Sequence, residues 1–436
     1  MKPSLYAIAA SLYLTEYTLY SNSSSAVLLN SAIADYFGIP FSQAAHIGVA
    51  FLAGFCLALL PAGLLSRRCR PTAAFFASSA VLAVLGIAAS LSPQFWVLIA
   101  LRFLQGIASA VLAPQIFRII RARFYPDHHS AVLGTWGLVV SASALCSPLI
   151  TALLNDLWGW RSFPYETVAT TVVAMALLAF APTGPDNPED VAEANTTARA
   201  VIPVVGVALV QVAIFLAIGT TTTVHTKVAL CVAAVLLGVA VIVLRGQRQA
   251  PVLSGSFVVI FVAGIATNVF TLSVVYVLQQ VRGLNSYAAA LFLVPMAFFA
   301  GLIPMLKFGR PGDNPKSTRL VCIGSAFLIV AGLSLAFPAH LLLGSAALMG
   351  CAMGFLWSSL ASNVLTNSTQ IPFDSSLYHY LRALGAAIGV AIGATMIDGP
   401  SADLFGGVAV LITVVGLVAT LAARSAWRAT RMTEVR

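Results

Sequence analysis

The sequence predicts an all-α polytopic membrane protein, and three observations carry that prediction. Of 436 residues, 59% are hydrophobic and only 8% are charged, against roughly 45–50% and about 25% in soluble domains. Mean hydropathy is +0.94. Apolar runs of about 20 residues recur from end to end, each long enough to cross a hydrocarbon core about 30 Å thick. A soluble enzyme, a disordered chain and a secreted disulfide scaffold are thereby excluded. A transmembrane β-barrel is excluded too, because its strands alternate in polarity along their length.

Taken in order, the first six runs lie near 5–29, 43–64, 72–91, 95–117, 131–154 and 165–182. The first begins after Lys2 and superficially resembles a secretory signal. It is interrupted by Glu16 and several tyrosines and lacks an A-x-A site, so an uncleaved span is expected. A polar stretch with Pro185, Asp186, Pro188, Glu189, Asp190 and Glu193 reads as a linker. Two runs follow near 201–219 and 227–244, and six more near 254–279, 287–306, 319–337, 341–365, 376–397 and 405–423. The expected organisation is a six-helix half over 1–182, a cytoplasmic linker over 183–200, two additional spans within 201–252, a second six-helix half over 253–424 and a cytoplasmic tail over 425–436, making fourteen transmembrane helices. An inserted pair preserves the orientation of the second half, which a single span would invert.

The net charge of +9 reflects membrane orientation and not nucleic-acid binding. With the N-terminus cytoplasmic, 18 of the 23 basic residues fall in cytoplasmic segments, among them Arg67, Arg68, Arg70, Arg118, Arg121, Arg123 and the tail arginines. Arg161, Lys227 and Arg282 fall outside, and Arg102 and Arg382 lie within spans. This asymmetry follows the positive-inside rule and places both termini in the cytoplasm of an inner-membrane protein. The six cysteines show no CxxC spacing and read as packed, reduced thiols.

Several stretches resemble the fourteen-span drug:proton antiporter branch of the major facilitator superfamily. Leu101-Arg102-Phe103-Leu104-Gln105-Gly106 is similar to that family's R-x-x-Q-G motif, and Gly159-Trp160-Arg161 to the G-W-R before span six. Tyr276, Leu278, Gln279, Gly283, Ser286, Ala289, Leu293 and Pro295 resemble the stretch joining spans nine and ten. The run from Arg382 through Gly385 and Gly389 resembles span thirteen. Two stretches depart from the pattern. The loop after span two reads Gly63-Leu-Leu-Ser-Arg67-Arg68-Cys69-Arg70, with arginine where the family has a gating Asp. The antiporter motif of span five keeps Pro148 but has Leu149, Ile150 and Thr151 after it. The resemblance implies two six-helix halves around a midplane cavity, with Gly63, Arg67, Arg68, Gly106 and Pro148 in gating or structural roles.

An ionised side chain at mid-bilayer costs on the order of 2.5–3.5 kcal/mol, so each needs a partner, a wet cavity or a function. Glu16, Arg102 and Arg382 qualify, with Glu166 and His379 nearer span ends. Tyr13, Glu16, Tyr17 and Tyr20 fall at i, i+3, i+4 and i+7, on one helix face. A carboxyl there can load and release a proton, or stand in a static pair with Arg102. Arg102 cannot lose its charge, so it can hold a carboxylate ionised or bind an anion, or else anchor one helix to another. Arg382 and His379, three residues apart, make a cavity wall electropositive or snorkel to headgroups. The expected proton-coupling residues are Glu16 and Arg102. The expected substrate cavity is lined by Tyr13, Tyr17, Tyr20, Gln105, Asn268, Gln279, His379 and Arg382. Gly385, Gly389 and Gly393 form a small-xxx-small ladder for close helix packing.

No Walker A, G-x-S-x-G or H-E-x-x-H motif occurs, so neither an enzyme nor an ATP-driven pump is expected, and no cofactor or metal. The expected function is secondary transport, proton-coupled export of small amphiphilic molecules in the manner of multidrug efflux. Proton-symport uptake of a metabolite or siderophore is the alternative within transport, and a non-transporting receptor or enzyme on the same fold the alternative outside it. Expected partners are the small-molecule substrate, protons and the lipid bilayer, with no nucleic acid, and the chain is expected to act as a monomer.

Overall fold

The computed structural model describes residues 3–65, 69–124, 139, 143, 146–180, 251–306, 314–335, 342–367, 371–398 and 404–434. Among them no residue is in a strand. Eight of the described helices are long and apolar enough to cross a membrane. The expected linker and the two additional spans near 201–219 and 227–244 lie outside the described residues, as do Arg67 and Arg68. Two compact units emerge: Met1–Ile39 with Ala50–Val212, and Pro40–Val49 with Ala213–Arg436.

In the first unit, α1 (Pro3–Ser24) passes through a 3-10 turn, Ser25–Leu29, into α2 (Asn30–Phe37). The helical path expected over 5–29 therefore continues to Phe37, where Gly38 at φ 64° closes it. A short α3 (Phe41–Ala44) and the first turn of α4 (His46–Leu65) group with the second unit, and α4 belongs to the first unit from Ala50 on, its last turn containing Gly63. Next come α5 (Pro71–Ser90) and α6 (Phe95–Arg123). Pro71 opens α5, where its missing N–H has no intrahelical partner to lose. The α6 helix outlasts the apolar run because its basic end is tied down. The Arg118 guanidinium donates to Gln115 Oε1 at 2.9 Å and to the Cys69 carbonyl at 3.0 Å. Described helical residues 146–158 form α7, and α8 spans Ser162–Ala179.

The α8 helix packs on α1 and α5, and α6 on α5 and α1. Their shared apolar core includes Leu12, Phe75, Leu82, Leu112, Ile116 and Ala174. The α1 helix is absent from the eight apolar spans because it carries a polar stripe, Ser11, Thr15, Thr18, Asn22, that is fully buried against its neighbours. In a bilayer such groups must find partners inside the bundle.

The second unit comprises α9 (Pro251–Tyr276), α10 (Ser286–Met305), α11 (Asn314–Ser334), α12 (Leu342–Asn367), α13 (Ile371–Asp398) and α14 (Leu404–Glu434). The α9 helix is central, packed on α12, α13 and α14. Its continuous apolar sequence fits that place, since 78% of its span is buried against 39% for α14. Large apolar side chains left exposed, such as Val84 on α5, Val172 on α8, Phe298 on α10 and Leu421 on α14, face outward from their units, as lipid-facing positions do.

Candidate functional site

The first unit holds a network of buried and half-buried polar side chains, joined in part through the backbone carbonyls of Thr18 and Glu166. Arg102, on α6, is 2% exposed. Its Nη1 donates to Asn22 Oδ1 and Gln105 Oε1, both at 2.8 Å, and its Nη2 donates to the Asn22 carbonyl at 2.7 Å. The guanidinium lies over the Phe51 ring at 4.7 Å and the Phe163 ring at 5.3 Å. Its Nε has no hydrogen-bond partner among the described residues. The described hydrogen bonds of Arg102 therefore go to neutral groups. Gln105 serves the arginine from one turn along the same helix.

From Arg102 the network runs on to α8. Asn22 Nδ2 donates to Thr167 Oγ1 at 3.0 Å, and Thr18 Oγ1 to Thr170 Oγ1 at 2.8 Å. One turn from these threonines, Glu166 is gripped by three hydroxyls. Tyr17 Oη donates to its Oε1 at 2.7 Å, Ser21 Oγ to the same oxygen at 3.2 Å, and Thr151 Oγ1 to its Oε2 at 2.9 Å. Ser25 and Ser147 join their hydroxyls at 2.6 Å, beside Pro148 on α7. Tyr17, Arg102 and Gln105 thus enter one network, while Tyr13, Glu16 and Tyr20 share a half-buried face of α1.

Glu166, which the sequence puts near a span end, is not among the expected site residues, yet it stands at the centre of this hydroxyl cluster. The signal was present: Ser11, Thr15, Thr18 and Asn22 recur at helical spacing on α1, and Thr167, Thr170 and Thr171 cluster beside Glu166 on α8. Two polar stripes in membrane helices call for each other.

Gly106 holds a close crossing of α6 on α4. A Cβ there would collide with the Phe51 carbonyl, and one on Gly54 with the Phe103 carbonyl. This close approach brings Phe51 over Arg102.

In the second unit the expected cavity residues bond locally. Asn268 Nδ2 donates to the Gly264 carbonyl on its own helix at 3.0 Å, and its Cβ lies where Gly389 crosses. Gln279 sits in a π-helical turn, Val277–Val281, and donates to Ser286 Oγ at 3.3 Å. His379 and Arg382 are both half-buried on α13. The Arg382 guanidinium lies 5.8 Å from the Trp357 ring centre, and the His379 ring stands edge-on to Tyr378. Among the described residues, no three His, Cys, Asp or Glu gather in a way that could hold a metal ion.

A bundle of membrane-length helices with a buried arginine, a buried carboxyl and hydroxyls bonded around them is the interior of a polytopic membrane protein. The family model described as Major Facilitator Superfamily matches residues 9–390, and the chain belongs to that superfamily of transporters. It is 23% identical to a methylenomycin A resistance protein of Streptomyces coelicolor, over 86% of this chain and 82% of that one. It is 26% identical to a tetracenomycin C resistance and export protein of Streptomyces glaucescens, over 40% of this chain. In several curated relatives the matched stretch spans only 29–31% of their length. A crystal structure of a peptide transporter in complex with alafosfalin shares the fold, with a TM-score of 0.68 at 15% identity, over 98% of this chain and 95% of that one.

Proposed function

We propose that the chain is a secondary active transporter that exports small amphiphilic molecules by alternating access, driven by protons, from the cytoplasmic membrane with both termini inside the cell. The observation that supports it most is similarity to an antibiotic resistance protein over most of both chains. The fourteen-span drug:proton antiporter branch accords with this. Sparse acidic side chains, 14 in 436 residues, favour neutral, zwitterionic or anionic cargo over multivalent cations. Glu16, half-buried midway along α1, is the proposed proton carrier, with Arg102 fixing the neighbouring helix ends of the network.

The test compares a deletion strain with one overexpressing the protein, for survival and cellular accumulation of methylenomycin A, tetracenomycin C and a panel of other amphiphiles. Overexpression is expected to raise resistance and lower accumulation of at least one compound. Glu16→Gln should express normally, retain substrate exchange and lose the resistance. A well-expressed Glu16→Gln with full resistance would remove Glu16 from the coupling step.

A further inference from the structure

We propose that Glu166 is a proton-binding site of the transporter, loaded from the medium through the cavity beside it and accommodated in either protonation state by Tyr17, Ser21 and Thr151. Three observations meet at this residue. Its side chain is buried, at 9% exposure, so its carboxyl cannot rely on bulk water. The three groups bonded to it are hydroxyls, and none carries a charge. A cation would hold the carboxylate ionised. A hydroxyl can donate to a carboxylate and, by turning, accept from a carboxylic acid, so the cage satisfies the group before and after it takes a proton. Finally, Glu166 borders a cavity of about 440 Å³ together with Trp158, Arg161, Ser162 and Tyr165. Trp158 and Tyr165 on its rim are exposed. The cavity, whose lining also includes Leu154 and Ala169, thus opens from the carboxyl to the surface of the unit.

The elements around Glu166 leave few other charges. From α1 come Tyr13, Glu16, Tyr17 and Tyr20; α5 carries no titratable residue; α7 brings Cys146 and Asp156. The α7–α8 turn brings Arg161, whose guanidinium donates to the Ser90 and Ser92 carbonyls and to Tyr36. Arg102 is engaged by Asn22 and Gln105. In the loading step a hydronium O–H bond breaks, leaving water, the proton forms an O–H bond on one carboxyl oxygen, and a hydroxyl that donated to that oxygen turns to accept. Unloading reverses it.

A contribution of Glu166 to coupling rests on the proton-driven reading above, whereas proton binding itself does not. Infrared difference spectra of the purified full chain across a pH titration test the binding directly. A carboxylic-acid carbonyl component that follows pH is expected to persist in Glu16→Gln and to disappear when Glu166→Gln is added to that background. Should Glu166→Gln fail to fold, Tyr17→Phe and Thr151→Val each remove one hydroxyl and should move the midpoint of that component by about one pH unit. A component unchanged when Glu166→Gln is added, or an unmoved midpoint in both hydroxyl variants, overturns the proposal. A pH-silent Glu166 in a protein that does respond to ΔpH refutes this inference alone. A titrating Glu166 in a protein indifferent to ΔpH refutes the proton-driven reading alone.

Discussion

The Gly159-Trp160-Arg161 triplet shows what a short motif does once its surroundings are known. Gly159 sits at φ 77° and its N–H closes on the Asn155 carbonyl at 2.7 Å, so α7 ends there and the chain can turn into α8. Trp160 is buried against the rings of Tyr36 and Phe37, at 5.6 and 5.7 Å. Arg161 then ties the turn to the end of α5 through Nε to the Ser90 carbonyl at 2.8 Å, with its guanidinium 4.6 Å from the Tyr36 ring centre. Aromatic side chains gathered at one end of the helices are what a membrane interface favours. Gly159→Ala should lower thermal stability in detergent by about 1–2 kcal/mol, the cost of a left-handed backbone for a residue with a Cβ. Arg161→Lys should recover little of the loss in Arg161→Ala, because an ammonium cannot donate in a planar fork and stack on Tyr36 together. Equal melting temperatures for Arg161→Lys and wild type would contradict that account. The motif could be read from the sequence, but the partners Ser90 and Tyr36 could not, since they lie 71 and 125 residues away. The same distance hid Glu166, whose donors Tyr17 and Ser21 are 149 and 145 residues earlier.

Helices in a bilayer gain no hydrophobic drive from meeting each other and associate where small residues let backbones approach. The glycine ladder on α13 was visible from its spacing, and the structure supplies its counterpart, α9. A Cβ on Gly385 would collide with the Phe261 carbonyl, and one on Gly389 would stand 2.5 Å from the Ile265 carbonyl. Gly264 faces back from α9, where a Cβ would lie 2.8 Å from the Arg382 carbonyl. Lone glycines such as Gly54 and Gly264 gave no spacing signal, because each packs against a distant helix and not within a ladder. Gly389→Ala should therefore force α9 and α13 apart and cost about 1–3 kcal/mol, as overpacking does. Gly344→Ala, on α12 with nothing within 4 Å of the added Cβ, should be neutral or stabilise by up to about 1 kcal/mol. Thermal unfolding of the two variants in the same detergent separates these outcomes, and a Gly389→Ala as stable as Gly344→Ala would refute the close-crossing account. Helix ends were less legible than helix faces. The α6 helix extends through Arg118 to Arg123 because those side chains bond back to the start of α5, a contact that hydropathy does not register.

Composition alone placed the chain in a membrane, and the order of Arg102–Gly106, Gly159–Arg161 and Arg382–Gly389 along it pointed to the superfamily that residues 9–390 match. What it transports was not legible, because specificity in such a protein rests on the shape of a cavity assembled from distant helices, not on a run of adjacent residues. The basic residues predict the orientation of the whole molecule. Reporter tags at 183–199 and after Arg436 should be accessible from the cytoplasm, and a tag at 219–226 from outside; an external signal from the 183–199 linker would overturn the arrangement of two six-helix halves. Proton-driven export is the central claim, and everted membrane vesicles test it most directly, since their cytoplasmic face is outermost and respiration acidifies their lumen. With a compound that the overexpressing strain excludes, the account predicts uphill accumulation in the lumen that a protonophore abolishes and that Glu16→Gln lacks. Accumulation indifferent to the protonophore, or mere equilibration across the membrane with ΔpH imposed, would contradict it.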